Sequence, residues 1–319
     1  MKMGPRGKDG AVDASIKDER VDVVTAVLLA DSFASTFKPV TTDVPKCLLP
    51  LCNVPMIEYS LDWLSSNGVQ EVIVFCCAHS LQVHNYITQS KWSAYPGMSV
   101  RIVSSEHCPS AGEALRMIYG LDVIHGDFIL VHGDTVTTVN LRDALAAHKE
   151  RRKTDKHAVM TSLMKRVNPE KRRAHFGVVD DLVVAMEPWD QQLLHYERIP
   201  DLLSTGFVFP SSDLDRFKEV RVRADLLDTH IDICSPEVLF LFHDNFDYQD
   251  IRGDFIQGVL GSDIMGDKVY IYEVPQKEYA ARVLNLRAYG SVSVCSILSA
   301  CPLAYAASSM SVRSATCAC

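Results

Sequence analysis

The chain has 319 residues, 47% of them apolar, and a formal net charge of −8. That length and apolar share allow a substantial core, expected as one large α/β domain or one domain plus a second part. The acidic balance excludes a general nucleic-acid binder, because no broad electropositive face is available for phosphates.

Residues 1–21, with Gly4, Pro5, Gly7 and Gly10 among many charges, predict a mobile tail without the apolar stretch of a secretory signal. Val23–Ala30 is a continuous apolar run, the pattern of a strand buried on both faces. A proline-punctuated loop follows, then a helix over Met56–Asn67 with Ile57, Leu61 and Leu64 on one face and Gly68 as its stop. Glu71–Cys76 predicts a second buried strand, Leu81–Gln89 a helix, and Val100–Val103 a third strand. Ser110 and Glu113 form a capping box that opens the next helix. Phe128–Val131 is a fourth strand ending in His132-Gly133-Asp134, and Asn140 caps a helix through Glu150.

This alternation implies a mostly parallel, Rossmann-like sheet with helices on both faces, and a ligand crevice at the carboxyl ends of its strands. Both the 31–46 loop and Asp134 fall at such ends. Farther on, strands are expected at 157–164, 177–179, 183–186, 193–196, 229–234 and 269–274. Helices are expected from Pro236, a proline at the first helical position, and over 254–260. The stretch 200–225 reads as irregular. The basic run Lys149–Lys156 mixes signs and reads as a solvated helix end. From Ala288 to Val312 there is no charge, but the run is too rich in serine and interrupted by proline to serve as a membrane anchor. Ten cysteines are present. Cys47, Cys52, Cys76, Cys77, Cys108 and Cys234 lie in or beside apolar runs, and their spacing matches no zinc pattern. They are expected to be buried, reduced thiols of a cytosolic protein.

Two motifs carry candidate chemistry. Gly133-Asp134 at a strand end is either a simple turn or a cation-binding carboxylate, and Lys46 after Pro45, on its own, reads as a solvated loop lysine. The punctuation Pro45-Lys46, Pro50, Pro55-Met56-Ile57 resembles the opening of sugar-phosphate nucleotidyltransferases. In that family a glycine-rich, arginine-bearing loop cradles the triphosphate, and the Gly-Asp carboxylate holds magnesium. Here the loop holds Asp31, Ser32, Ala34, Ser35 and Thr36. Phe176–Val179 resembles the family's Tyr-Gly-Val-Val strand, and Glu197 a later family glutamate. Asp228-Thr229-His230 stands where the family has Asn-Ala-Gly, and Arg282 where a second magnesium aspartate belongs. The resemblance therefore implies a nucleotidyltransferase-like domain without turnover. Asp31, Ser32, Lys46 and Asp134 would line a relic nucleotide pocket, with no catalytic residue, metal or cofactor.

Leu29-Ala30-Asp31-Ser32-Phe33, Val74–Cys77, Ile233–Val238 and Asn245-Phe246-Asp247-Tyr248 are similar to the epsilon-subunit family of translation initiation factor two-B, over roughly residues 22–290. That resemblance implies a non-catalytic scaffold role in the guanine-nucleotide exchange factor that acts on initiation factor two. The implied partners are the gamma subunit first, then alpha, beta and delta, together with initiation factor two. No direct nucleic-acid or membrane partner is implied. Asn245, Phe246 and Asp247 read either as a packing plug or as an interface anchor; the family implies the second. Family members continue into a β-helix and a helical exchange domain, so residues 291–319 are expected to be an atypical tail and exchange activity to lie outside this chain. The alternative function is an active nucleotidyltransferase that makes a nucleotide sugar from a nucleoside triphosphate and a sugar 1-phosphate.

Overall fold

The computed structural model describes residues 23–31, 33, 36–167, 181–199, 217–262 and 266–297. In chain order these form β1 (Thr25–Leu29), α1 (Met56–Ser66), β2 (Glu71–Cys76), α2 (Ser80–Gln89), β3 (Ser99–Ser104) and α3 (Ala111–Gly120). Then come β4 (Phe128–His132), β5 (Thr135–Thr137), α4 (Leu141–Thr154), β6 (Ala158–Arg166), β7 (Asp181–Met186) and β8 (Leu193–Ile199). The remainder is β9 (Arg221–Arg223), β10 (Leu226–Cys234), α5 (Pro236–Asp244), α6 (Ile256–Gly261, entered through a π turn at Ile251–Phe255), β11 (Lys268–Val274), β12 (Ala280–Arg282) and α7 (Leu286–Ile297).

Seven strands make the main sheet in the order β11-β6-β10-β4-β1-β2-β3. β1 runs parallel to both β4 and β2, and β10 is the antiparallel member, between β4 and β6. The chain fills β1, β2 and β3 outward in one direction and then returns to place β4 on the other side of β1. That reversal is the switch point where such sheets open a crevice. Apolar layers cover both faces: Phe75, Phe128, Leu130, Phe242 and Phe255 pack on one, Leu28, Leu61, Trp63, Val74 and Trp92 on the other. Both layers are nearly dry because β1, β2 and β4 are buried along almost their whole length, as a two-sided parallel sheet requires.

The local signals act as their chemistry demands. Ser110 Oγ accepts from Glu113 N at 3.1 Å, and Asn140 Oδ1 accepts from Arg142 N at 3.0 Å. Gly68 turns the chain after α1 at φ +77°. Three expectations shift. Cys52 is exposed and Cys77 half-buried, so the thiols are not uniformly interior; among the others, burial pushes Cys76 and Cys108 up to about 12. The short strands β9 and β12 carry no sequence signal, because three residues are too few to show a period. The boundary drawn at residue 290 falls inside α7, whose Ala288 is buried and whose Val292 joins a third apolar cluster with Phe37, Leu51 and Met56. The expected tail at 1–21, the strand at 177–179 and residues 298–319 lie outside the described residues. Among the described residues no helix is long and apolar enough to cross a membrane.

His148 on α4 is buried, with Nδ1 2.8 Å from Thr161 Oγ1 of β6. Burial, aided by Arg152 and Arg151 and opposed by Glu237, pushes its pKa down to about 3. The folded state therefore binds fewer protons than the unfolded chain between roughly pH 6.5 and 3, and stability is lost as pH falls through that window. This one group should contribute a slope of up to about 1.4 kcal/mol per pH unit. Urea unfolding at pH 5, 6 and 7 should show His148→Gln flattening the acid limb relative to the parent chain.

Candidate functional site

Gly133 ends β4 beside the end of β1, where its N–H donates to Leu29 O at 2.8 Å. A Cβ at Gly133 would meet Cys47 Cβ at 3.2 Å and Ala30 Cα at 3.4 Å, so glycine lets the two strand ends close up. Asp134 follows, fully inside. Lys46 sits in a short turn over Lys46–Leu48 and reaches across to it, Nζ 2.5 Å from Asp134 Oδ2. From the far end of the chain, β12 pairs antiparallel with β5, setting Arg282 opposite Thr135. Arg282 Nε then donates to Asp134 Oδ1 at 2.9 Å. Each carboxylate oxygen of Asp134 thus faces a cation from a different segment. Burial alone would raise the Asp134 carboxyl, but the Arg282 and Lys46 charges overcome that and hold it far below the usual carboxylate range. Lys46 is itself pushed down by burial, with Asp134 opposing.

Beyond Arg282 the polar chain continues. Arg282 Nη2 lies 3.1 Å from His132 Nδ1, and Nη1 lies 3.3 Å from His230 Nδ1. On its other side His230 Nε2 is 3.2 Å from Arg198 Nη2. A neutral imidazole has one acceptor nitrogen, so His230 can accept from only one guanidinium at a time. Burial, together with the surrounding arginines, holds His132 and His230 well below the usual histidine range. Arg198 Nε donates to Tyr196 Oη at 3.0 Å, and that hydroxyl donates to Asp228 Oδ2 at 2.9 Å. Arg252 grips Asp228 through Nε at 2.5 Å and Nη2 at 3.0 Å, and its Nη2 also reaches Asp232 Oδ1 at 2.9 Å. Arg252 and its neighbours hold Asp228 well below its ordinary value against burial, whereas burial and the Asp228 charge raise Asp232. A connected line of polar side chains therefore runs from Lys46 to Asp232.

The predicted residues fall out unevenly. Lys46 and Asp134 come together, and Arg282 joins them as a counter-ion to the carboxylate. Asp31 lies apart: it is half-buried, accepts from Cys77 N, and has its pKa raised by burial against that bond. Asp31 and Lys46 do share a crevice of about 300 Å³ with Phe33, Lys38, His79 and Cys108 on its walls. Ser32 and Phe176–Val179 lie outside the described residues. Glu197 is not brought to the line; it faces His195 at 3.3 Å, on the opposite side of β8 from Tyr196 and Arg198. His230 holds φ +55° beside a register shift in β10, a left-handed backbone uncommon for a residue other than glycine. Arg252, central to the line, gave no sequence signal beyond a lone charge ahead of a helix.

A magnesium ion needs oxygen ligands with free lone pairs at about 2.1 Å in an octahedron. Both oxygens of Asp134 already accept from cations, one from the Lys46 ammonium and the other from the Arg282 guanidinium. These residues do not fit that ion. Among the described residues no group of three or more His, Cys, Asp and Glu side chains could hold a metal.

The other candidate group sits about the C-terminal end of α5. Phe246 is 72% exposed, Asp247 is exposed and Asn245 half-buried, in the turn that follows the helix. Arg116 on α3 organises that turn from beneath. Its Nη1 donates to the carbonyls of Phe242, Asn245 and Tyr248 at 3.2, 3.4 and 3.1 Å, its Nε reaches Glu113 at 3.0 Å, and its Cζ lies 5.6 Å from the centre of the Phe246 ring. Tyr248 packs inward against Phe242 and Phe255, and a Cβ at Gly112 would overlap the Tyr248 carbonyl. Tyr248 is the packing aromatic of this motif and Phe246 the displayed one.

Removing Asp134 leaves two buried cations facing each other. Asp134→Ala should lower stability by about 3–5 kcal/mol, read from the denaturant midpoint. The triple change Lys46→Met, Asp134→Leu, Arg282→Met should recover most of that loss, because apolar side chains replace the whole charged group.

Residues 25–181 match the family described as nucleotidyl transferase. The Dictyostelium discoideum translation initiation factor eIF2B subunit epsilon is 44% identical over 273 residues, 85% of this chain and 38% of that protein. The Schizosaccharomyces pombe subunit of the same name is 43% identical over 273 residues, 84% of this chain and 39% of that protein. The chain therefore spans less than half the length of these relatives. Among solved structures, apo UDP-glucose pyrophosphorylase superposes with a TM-score of 0.61 at 12% identity, covering 87% of this chain and 99% of that one, a likeness of fold. The chain belongs to the eIF2B epsilon-subunit family, and its described residues form a nucleotidyltransferase-like domain.

Proposed function

We propose that the chain serves translation initiation in the cytosol as a non-catalytic, protein-binding part of the epsilon subunit of the guanine-nucleotide exchange factor for initiation factor two. The observation that carries this reading is the double bracketing of Asp134 by Lys46 and Arg282. Nucleotidyl transfer needs a carboxylate free to hold a metal and cations free to meet the departing pyrophosphate. Here each neutralises the other. The sequence likeness to epsilon subunits of two organisms supports the translation assignment. The exposed Phe246, flanked by polar residues and held from below by Arg116, supports a contact role for Asn245–Asp247. The gamma subunit is the first assembly partner in this reading, followed by alpha, beta and delta.

The test uses the full-length subunit co-expressed with gamma, alpha, beta and delta. Phe246→Ala should leave assembly and the thermal midpoint unchanged and weaken binding to initiation factor two by about tenfold, a loss of about 1.4 kcal/mol. An unchanged affinity would remove the contact role. Magnesium-dependent pyrophosphate release from a nucleoside triphosphate and a sugar 1-phosphate, above a no-enzyme control, would overturn the non-catalytic reading and restore the transferase alternative.

A further inference from the structure

Helices α3 and α5 lie side by side in opposite senses. Tyr119 meets Phe240 and His243, Arg116 reaches the carbonyls of Phe242 and Asn245, and Gly112 N donates to Gln249 O at 2.9 Å. The inward positions of this pair are filled by Leu115, Ile118, Val238, Leu239 and Phe242, all buried. Rings remain on the outside as well. Phe240 is 46% exposed, Tyr119 36% and Phe246 72%, and His243 is also exposed. Tyr119 lies edge-on to Phe240 at 6.4 Å and tilted over His243 at 4.7 Å. With Phe246 over Arg116 at the next turn of α3, the rings form one row along the seam.

The charges around that row are mainly of one sign. Asp244 and Asp247, next in sequence to His243 and Phe246, are exposed, as is Asp122, three residues beyond Tyr119 and 3.9 Å from His125. The nearby arginine, Arg116, is buried and engaged by three carbonyls and Glu113, so its charge is directed inward. Between residues 236 and 250 there is no lysine or arginine. An aromatic row rimmed by carboxylates repels phosphates and suits arginine or lysine side chains, whose heads pair with the rim and whose stems lie on the rings.

We propose that Phe240, Tyr119, His243 and Phe246, with Asp122, Asp244 and Asp247, form one continuous docking surface for a cationic, arginine- or lysine-bearing segment of a partner protein. The inference rests on the reading of Asn245–Asp247 as a contact loop and extends that contact across two helices. Phe240 and Tyr119 are the anchors, and the carboxylates set the sign of what docks.

The test places a photoreactive phenylalanine at 119, 240 or 246 in the full-length subunit within its assembled complex, with purified initiation factor two as the probe. All three positions should cross-link to the probe, at peptides containing lysine or arginine. The double change Asp244→Lys, Asp247→Lys should weaken binding about tenfold or more and reduce its dependence on salt, and Phe240→Ala should weaken it severalfold with an unchanged thermal midpoint. Cross-linking from 246 alone would overturn the extended surface while leaving the contact loop intact. No cross-link from any position, with unchanged affinity for Phe246→Ala, would remove both. Cross-links from 119 and 240 to a second copy of this chain would overturn the cationic partner.

Discussion

A single carboxylate held between two cations sets the character of the crevice. Asp134 stands where strand β4 ends, at the switch point of the sheet, and is bound on one oxygen by Lys46 and on the other by Arg282. Without the bracket it would be an unpaired charge in a dry site, which burial would force toward the protonated form. With it, the carboxylate stays ionised and ties three segments together: the turn after the first loop, the end of β4, and the β12 strand. A side chain of the type that could help perform chemistry at this place instead closes the structure over it.

The same inward use of charge recurs. Arg252 is enclosed by Asp228 and Asp232, and Arg116 by backbone carbonyls and Glu113. Four of the chain's cations, Lys46, Arg116, Arg252 and Arg282, are therefore withdrawn from the surface or nearly so. Their partners Asp134, Asp228 and Asp232 are buried with them, so the withdrawal leaves the net charge of the exterior nearly unchanged. Buried ion pairs are poor sources of net stability, but they demand one geometry, because a displaced partner leaves a charge unmatched. In this domain that demand fixes the crevice, and at Arg116 it fixes the turn that displays Phe246.

Much of the architecture could be read from the chain alone because its central strands are long, apolar and separated by helices with clear caps. Val23–Ala30, Glu71–Cys76 and Phe128–Val131 became β1, β2 and β4 with ends moved by a residue or two. The grouping of Lys46 with Asp134 came from the resemblance to nucleotidyltransferases rather than from the spacing of the two residues. What Arg282 does was not legible: the sequence marked it as a reversed charge, and only the pairing of β12 with β5 turned it into a partner of the carboxylate. Arg252 and Arg116 were silent for a related reason. The carboxylates that hold Arg252 lie 20 and 24 positions earlier, and the carbonyls that hold Arg116 lie 126 to 132 positions later, so neither local sequence differs from that of an arginine in solvent. Tyr248 and Phe246, two residues apart, likewise needed the fold to decide which packs and which faces out.

The route by which Arg282 arrives has a consequence for how the domain is made. Its partner Asp134 precedes it by 148 residues, and β12 joins β5 only after every strand of the main sheet has been synthesised. A chain emerging from the ribosome presents the β1–β4 floor with Asp134 and Lys46 long before the guanidinium exists. Contacts that close so long a loop form late and slowly, and an intermediate lacking them exposes what they would cover. Until residue 282 is in place the carboxylate has one counter-ion and the edge of β5 has no partner. The domain is completed from its far end, and a nascent chain halted between residues 134 and 282 lacks the guanidinium that brackets Asp134 in the finished domain.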